Sequence, residues 1–388
     1  MMINLLRKML IYSIPSLLLT CGVLEGCFRL FVPVSDQPVR YFNSDAALWQ
    51  AKPDQTGRFI LGKWGEIYNE PYRLNNAGWN SPHDYTLEKS PGTVRIAVIG
   101  DSFVEGFRVD YHYTFSQVLE KTLNENTDSI VEVYNFGVTG APLSQYLHIM
   151  RYVSETYAPD IYVVNLYYND FDESFAQNVQ QPEVLQFGLD ENGDITEIPP
   201  RDPQLPFWRE LVISPAVVRY VRFNLGYMTP SELWRAIKNE WTRSTQSAPS
   251  LPVDDGTPEI PTFQFRTELI ANLLQYVFPQ MQALAAESGS HLFLMMDGLR
   301  LDITQGNSMD EIQQAVGYRY NQAVADVSDE RGIPLLDLTS SFYDDFQIHG
   351  QEFDFGKDGH WNAHAHNLVG HVLAERLITL EWLKPLPQ

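Results

Sequence analysis

The sequence predicts an α/β protein: a doubly wound sheet of about five parallel strands, with an N-terminal transmembrane helix. Three observations carry this. Five short apolar runs alternate with longer segments of helical periodicity. The runs are apolar on both faces, as expected of strands covered by helices on two sides. The chain also opens with a basic pair followed by an apolar stretch.

That stretch comes first. Residues 9–23 are apolar apart from Ser and Thr, include Pro15 and follow Arg7 and Lys8. The apolar character continues to Phe31, interrupted by Glu25 and Arg29. Counted from 9 to 30 it reaches the length of about 20 residues that a bilayer requires. The positive flank places the N-terminus in the cytoplasm and the rest outside. No small-x-small cleavage site follows, so an uncleaved anchor is the reading, with a cleaved signal peptide the alternative. Leu18-Leu19-Thr20-Cys21 lacks the small residue a lipoprotein signal would carry. Both cysteines, Cys21 and Cys27, lie in this stretch, so the rest of the chain has no disulfide. The expected organisation is a cytoplasmic stub and anchor over 1–35, a lead-in over 36–92, and an α/β domain over 93–388 with an insertion at 171–262.

The lead-in is rich in turns and aromatics, with strand-like pieces such as 59–61, and is expected to pack on the main domain. Strand one is 96–99. Thr114-x-x-Gln117 reads as a capping box opening a helix to about 124. Strand two is 130–134, followed by a helix over 143–157, and strand three starts at 161. A helix over 267–288 is expected to kink at Pro279 and stop at Gly289. Strand four is 291–296. Ser308-x-x-Glu311 caps one helix ending near Gly332, and 334–338 is strand five. Asn362 caps the last helix, whose apolar face carries Leu368, Val369, Val372 and Leu377.

The insertion holds 11 of the chain's 24 prolines and reads as irregular. Residues 186–198 read as a hairpin around Asn192-Gly193, a strong turn pair. The acidic run 190–194 lacks the ligand spacing of a calcium loop and reads as that turn. Ser214-Pro215 and Thr229-Pro230-Ser231-Glu232 start two helices. Trp208, Trp234 and Trp241 are expected to form a satellite core, the alternatives being sugar stacking or contact with a membrane surface. Residues 244–261 read as a polar, Pro-rich loop.

The formal net charge is −22, from 49 acidic and 27 basic residues. Phosphate binding needs basic patches, so nucleic acid is excluded as a partner. A surface bound to anionic lipid is disfavoured for the same reason.

Four polar clusters carry the chemistry. Strand one ends in Gly100-Asp101-Ser102, strand two in Asn135-Phe136-Gly137-Val138-Thr139-Gly140, and strand three in Tyr167-Tyr168-Asn169-Asp170. The fourth, Asp358-Gly359-His360-Trp361-Asn362, precedes the final helix. Each alone is also an ordinary turn. Ligands in open α/β sheets bind beyond the carboxyl ends of the strands, where the first three lie.

The order Ser, Gly, Asn, His resembles the SGNH (GDSL) hydrolase family, from about Tyr72 to Ile378, broken by the insertion. The segment Tyr72-Arg73-Leu74-Asn75-Asn76-Ala77-Gly78 resembles the lead-in of its membrane-anchored bacterial members. The resemblance implies the flavodoxin-like SGNH hydrolase fold, with Ser102 as nucleophile, His360 as general base and Asp358 as the acid orienting it. It implies an oxyanion hole from the backbone N–H groups of Ser102 and Gly140 and the Asn169 side chain. Gly140 fits the family glycine better than Gly137 because it lies five residues after Asn135. Two positions depart from the pattern. Tyr167 stands where glycine is usual and would crowd the crevice. The acid stands two residues before His360 instead of three, a position held by Lys357, with Asp354 as the alternative acid.

These residue types suit acyl transfer. A serine hydroxyl needs a base to take its proton, neutral histidine serves at physiological pH, and a carboxylate fixes its tautomer. Together, the N-terminal stretch and the resemblance imply a single-pass protein of the cell membrane with an extracytoplasmic serine esterase domain. Its substrate would be an acylated carbohydrate or other ester, O-acetyl groups of a surface or secreted polysaccharide being the expected case. An O-acyltransferase with the same triad, or a non-catalytic polysaccharide-binding or assembly protein on the same fold, are the alternatives. No cofactor and no metal are expected. His364, His366 and His371 follow His360, but on a helix His364 and His366 point to different faces and would not converge on an ion.

Overall fold

The structure is a computed structural model that describes residues 12–206, 212–227, 229, 232, 234–235 and 263–384. A helix, α1 (Ile14–Phe31), leads into four short strands: β1 (Arg40–Asn43), β2 (Leu48–Ala51), β3 (Gln55–Leu61) and β4 (Tyr68–Leu74). Next come β5 (Thr93–Gly100), α2 (Ser102–Glu105), α3 (Phe115–Asn126), β6 (Ile130–Gly137), α4 (Leu143–Tyr157), β7 (Ile161–Leu166) and α5 (Tyr168–Glu173). The insertion contributes β8 (Gln186–Leu189), β9 (Ile195–Ile198), α6 (Ala216–Arg219) and a π-helical turn, Tyr220–Asn224. The chain closes with α7 (Phe263–Glu287), β10 (His291–Met296), α8 (Arg300–Thr304), α9 (Met309–Gln314), α10 (Tyr318–Arg331), β11 (Leu335–Asp337), α11 (Thr339–His349) and α12 (Ala363–Thr379).

Two compact units result. The larger takes the described parts of 38–56, 71–203 and 254–388. Its sheet runs β11-β10-β7-β5-β6, and every pairing is parallel. Alternate residues of each strand enter opposite cores, the consequence of a side-chain period of two. Val94, Ile96 and Val98 of β5 face one core with Val131, Val133, Val163 and Phe293, closed by α3 and α12 through Phe115, Leu119, Leu373 and Leu377. Ala97 and Ile99 face the other with Phe136, Tyr162, Val164 and Leu294, closed by α4, α7 and α10 through Leu147, Leu274 and Val324. Each such Val, Ile or Leu contributes about 1.5–3 kcal/mol by burial, which is why the strands read as unbroken apolar runs.

From β5 the chain steps to β6 on one side, then returns to build β7, β10 and β11 on the other. The strand order therefore reverses beside β5, and that reversal opens a crevice at the carboxyl end of the sheet. Gly137, the last residue of β6, lies against α2 there: a Cβ on it would sit 2.1 Å from the backbone nitrogen of Glu105.

The smaller unit takes the described parts of 1–37, 57–70 and 204–253. None of the residues of α1 is buried. Among the described residues, α1 is the helix long and apolar enough to cross a membrane, with 18 residues and a mean hydropathy of 1.5. Its Glu25 accepts from the Ala216 N–H at the start of α6, 2.9 Å away. Asn224 is buried, accepts from Ser35 N–H at 2.9 Å and donates to the carbonyl of Pro33 at 2.9 Å.

Several expectations are corrected. Helix α3 starts after Thr114, but the Thr114 side chain makes no cap bond; its hydroxyl is buried, and the turn is closed by the Gln117 N–H on the Thr114 carbonyl. The capping box at Ser308 and Glu311 is made, yet the helix it opens stops at Gln314 and a second begins at Tyr318, because Ala315 turns extended (ψ 146°). Helix α7 carries Pro279 inside it, as expected, and ends at Glu287, two residues before Gly289. The buried face of α12 is Ala365, Val369, Leu373, Ala374 and Leu377, with Leu368 and Val372 at its margin. Trp234 is 68% exposed and joins no core among the described residues. Arg7, Lys8, Trp208, Trp241, Pro230 with Ser231, and the loop 244–261 lie outside the described residues.

Gly137→Ala is expected to destabilise the larger unit by about 3 kcal/mol, since the added methyl meets backbone and not a side chain that could turn away. Urea unfolding of the purified protein measures it.

Candidate active site

Strand β5 ends at Gly100, and Asp101 caps the one-turn helix α2, its Oδ1 accepting from the Phe103 N–H at 2.9 Å. Gly106 closes that turn in the left-handed region (φ 70°), its N–H bonded to the Ser102 carbonyl at 3.0 Å. Ser102 is thereby fixed as the first residue of the helix. Its Oγ lies 2.8 Å from Nε2 of His360.

The other ring nitrogen of His360, Nδ1, bonds to Oδ1 of Asp358. The same oxygen accepts from the His360 backbone N–H at 3.1 Å. An aspartate bonding the N–H two residues on is a local turn habit of the residue. It explains how a carboxylate only two positions away reaches the imidazole. Asp354 is engaged elsewhere: its Oδ1 accepts from the Gly356 N–H at 2.8 Å, and its Oδ2 lies 3.7 Å from Arg300 Nη1.

The charges are tuned by burial and by two arginines. Burial and the nearby Arg108 guanidinium lower the His360 imidazole below its ordinary range, against the raising effect of Asp358. Burial acts to raise Asp358, but the bonds from His360 and the charge of Arg108, 3.7 Å away, hold its carboxyl well below the usual range. The resting state is therefore a neutral imidazole beside a carboxylate, the state in which His360 can accept a proton. Burial lifts Asp101 to about 6 and raises Asp170 well above its ordinary value.

Gly140 and Asn169 follow β6 and β7, the two strands flanking β5. Gly140 sits in an exposed turn with φ 75°. Asn169, in the first turn of α5, donates one amide N–H to Glu173 Oε1 at 2.8 Å. Asp170 closes the start of that helix, accepting from Tyr167 N–H at 2.8 Å and Tyr146 OH at 2.9 Å. The Tyr167 ring packs 4.7 Å from Phe103, which in turn stacks 5.0 Å from the His360 ring. The bulk of Tyr167 thus packs against the aromatic next to the serine.

Sequence reasoning missed a buried ion pair that grips His360 from both sides. Arg300 donates to the Gly359 carbonyl at 2.9 Å and to Asp297 Oδ2 at 3.0 Å. Asp297 Oδ1 accepts from the Trp361 indole at 3.0 Å. The signal was present, since β10 also ends in a polar turn, Asp297-Gly298-Leu299-Arg300. The later histidines diverge, as their helical spacing requires. His366 is buried and its Nδ1 accepts from the Phe115 N–H at 3.1 Å, whereas His364 Nε2 meets Asp345 at 2.6 Å.

Such a site, at the reversal point of a doubly wound sheet, holds the groups that ester hydrolysis requires. Residues 96–192 match the family model of the GDSL-like lipases and acylhydrolases. The match takes in the ends of β5, β6 and β7, with Ser102, Gly140 and Asn169. Comparison with curated proteins finds no match. Among solved structures, an inhibitor-bound aryl esterase of M. smegmatis matches at 11% identity and a TM-score of 0.37, over 74% of this chain and 99% of the other. An acetyl-xylooligosaccharide esterase mutant of Geobacillus stearmophilus matches at 12% and 0.36, over 78% and 100%. A G-D-S-L family member from Veillonella parvula matches at 12% and 0.34, over 73% and 97%.

Burial pushes His366 down to about 3, from 6.5. The unfolded chain then binds the extra proton between those limits, so this contribution to stability is complete above pH 6.5 and lost as pH falls toward 3. The loss runs at about 1.4 kcal/mol per pH unit. His366→Asn is expected to weaken the fall in unfolding free energy between pH 6.5 and 5 by about 2 kcal/mol relative to the wild type. Urea titrations at the two pH values read the difference.

Proposed function

We propose that the protein is an extracytoplasmic serine esterase, tethered by α1, that acts on O-acyl esters through Ser102, His360 and Asp358. The observation that carries this reading is the unbroken hydrogen-bond relay from Ser102 Oγ through both nitrogens of His360 to Asp358. A neutral His360 takes the Ser102 proton as Oγ adds to the ester carbonyl, and Asp358 stabilises the imidazolium. The tetrahedral oxyanion is met by the N–H groups of Ser102 and Gly140 and by the Asn169 amide, whose second hydrogen is not used by Glu173. Collapse expels the alcohol, which receives its proton from His360. Water then attacks the acyl-serine with His360 again as base; a sugar hydroxyl in place of water would make the same site a transferase.

The tether is supported by α1, an apolar helix with no buried residue, and by Arg7 and Lys8 ahead of it. O-acetyl groups on a cell-surface or secreted polysaccharide are the proposed substrate, on the strength of the family resemblance.

Ser102→Ala is expected to abolish p-nitrophenyl acetate turnover, with a loss of ~10⁴- to 10⁶-fold and an unchanged melting temperature. Asp358→Asn should lose ~10⁴-fold, the cost of a misheld tautomer, and Asp354→Asn little. Fluorophosphonate labelling followed by peptide mapping should mark Ser102; turnover that survives its replacement would remove the assignment. For topology, alkaline phosphatase fused after Ile60 is expected to be active, and a green fluorescent protein at the same point dark.

A further inference from the structure

The residue that ends α2, Glu105, has no role in the relay, yet it is 3% exposed and its carboxylate is fully engaged. Oε1 pairs with Arg40 Nη2 at 2.5 Å. Oε2 accepts from the Thr139 N–H at 3.1 Å and from the Thr139 hydroxyl. The Glu105 carbonyl accepts from Asn80 Nδ2 at 2.7 Å, and its N–H donates to the Asp101 carbonyl at 2.9 Å. One buried residue, three positions after Ser102, thus ties the serine turn to the residue before Gly140.

Both outside partners come from the lead-in. Arg40 lies on β1. Asn80 follows the turn containing Asn75 and Gly78, which is pinned to β2: a Cβ on Gly78 would stand 2.2 Å from the Ala51 carbonyl oxygen. The Tyr72–Gly78 segment therefore serves to deliver Asn80, whose Oδ1 also accepts from Arg73 N–H at 3.3 Å.

We propose that Glu105 is a positioning residue that sets the Thr139–Gly140 turn, and that Arg40 and Asn80 make the lead-in a working part of the esterase site. This rests on the reading of Gly140 N–H as an oxyanion donor. The physical case has two parts. Bonds to an ionised acceptor are roughly twice as strong as neutral ones, so an exposed turn is held more firmly by a carboxylate than by an amide. A lone buried carboxylate so near the oxyanion would also oppose the negative charge that develops there. Arg40 cancels that charge, and without it Glu105 would be an unpaired buried anion.

The test uses the full chain in detergent with p-nitrophenyl acetate. Thr139 is exposed, so Thr139→Val removes one bond to Glu105 without touching the core. It is expected to lower kcat about 10-fold, a fraction of the 10²–10³ cost of losing an oxyanion donor outright. KM should stay within about twofold, and the pH midpoint set by His360 should not move. Thr139→Ser should restore the rate. Arg40→Met should cost about 10²-fold, the penalty of roughly 1 Å of misplacement, and Arg40→Lys should recover part of it. Thr139→Val with wild-type kcat, while fluorophosphonate still labels Ser102, would overturn the positioning role and leave the esterase reading standing. Rate losses in Arg40→Met that follow a lower melting temperature, unrelieved by Arg40→Lys, would overturn it too. Turnover independent of Ser102 would overturn both.

Discussion

The hydrogen bond between Ser102 Oγ and His360 Nε2 joins side chains 258 positions apart, and much of the larger unit is arranged to hold its two ends still. One end is a strand buried on both faces and closed by a capped turn. The other is a loop with little regular structure of its own. A hydrogen bond between neutral groups contributes only about 1 kcal/mol net, too little to organise a loop. The loop must be fixed by other means, and Arg300 and Asp297 supply them from the end of β10.

Those means are charged because the site is crowded with carboxylates. Asp101, Asp170 and Asp297 are all buried near the carboxyl end of the sheet, and burial raises the pKa of each. Asp297 is matched by Arg300, and Asp358 by Arg108 and His360. The arginines also lower the His360 pKa, which keeps the imidazole unprotonated at rest. In a chain of net charge −22, Arg300 and Arg108 thus stand where an unpaired carboxylate would be costly.

The same economy links the two flanks of Ser102. To one side, Asp170 takes the Tyr167 N–H and Tyr146 hydroxyl and so sets the first turn of α5, which carries Asn169. To the other, Glu105 takes both donors of Thr139. Each strand neighbouring β5 ends in a loop pinned by a buried acid, and the proposed oxyanion donors sit beside those acids.

The sequence by itself determined the sheet and the identity of its strand ends. Burial on both faces demands unbroken apolar runs, and a turn beyond each run demands Gly, Asp, Asn or Ser, so β5, β6, β7 and β10 were legible, as was the place of Ser102. The helix starts were legible only where local bonds suffice: Ser308 and Asn362 cap as their neighbours suggest, whereas Thr114 does not, its turn being closed through the backbone. Strand order and the pairing of distant charges belong to the tertiary structure. That Arg300 serves the Gly359 carbonyl and Arg40 serves Glu105 depends on which loops the sheet brings side by side. Periodicity and propensity report what a residue's near neighbours in the chain allow. A buried ion pair is decided by what lies across from it in space, and that exists only once the strands have taken their order.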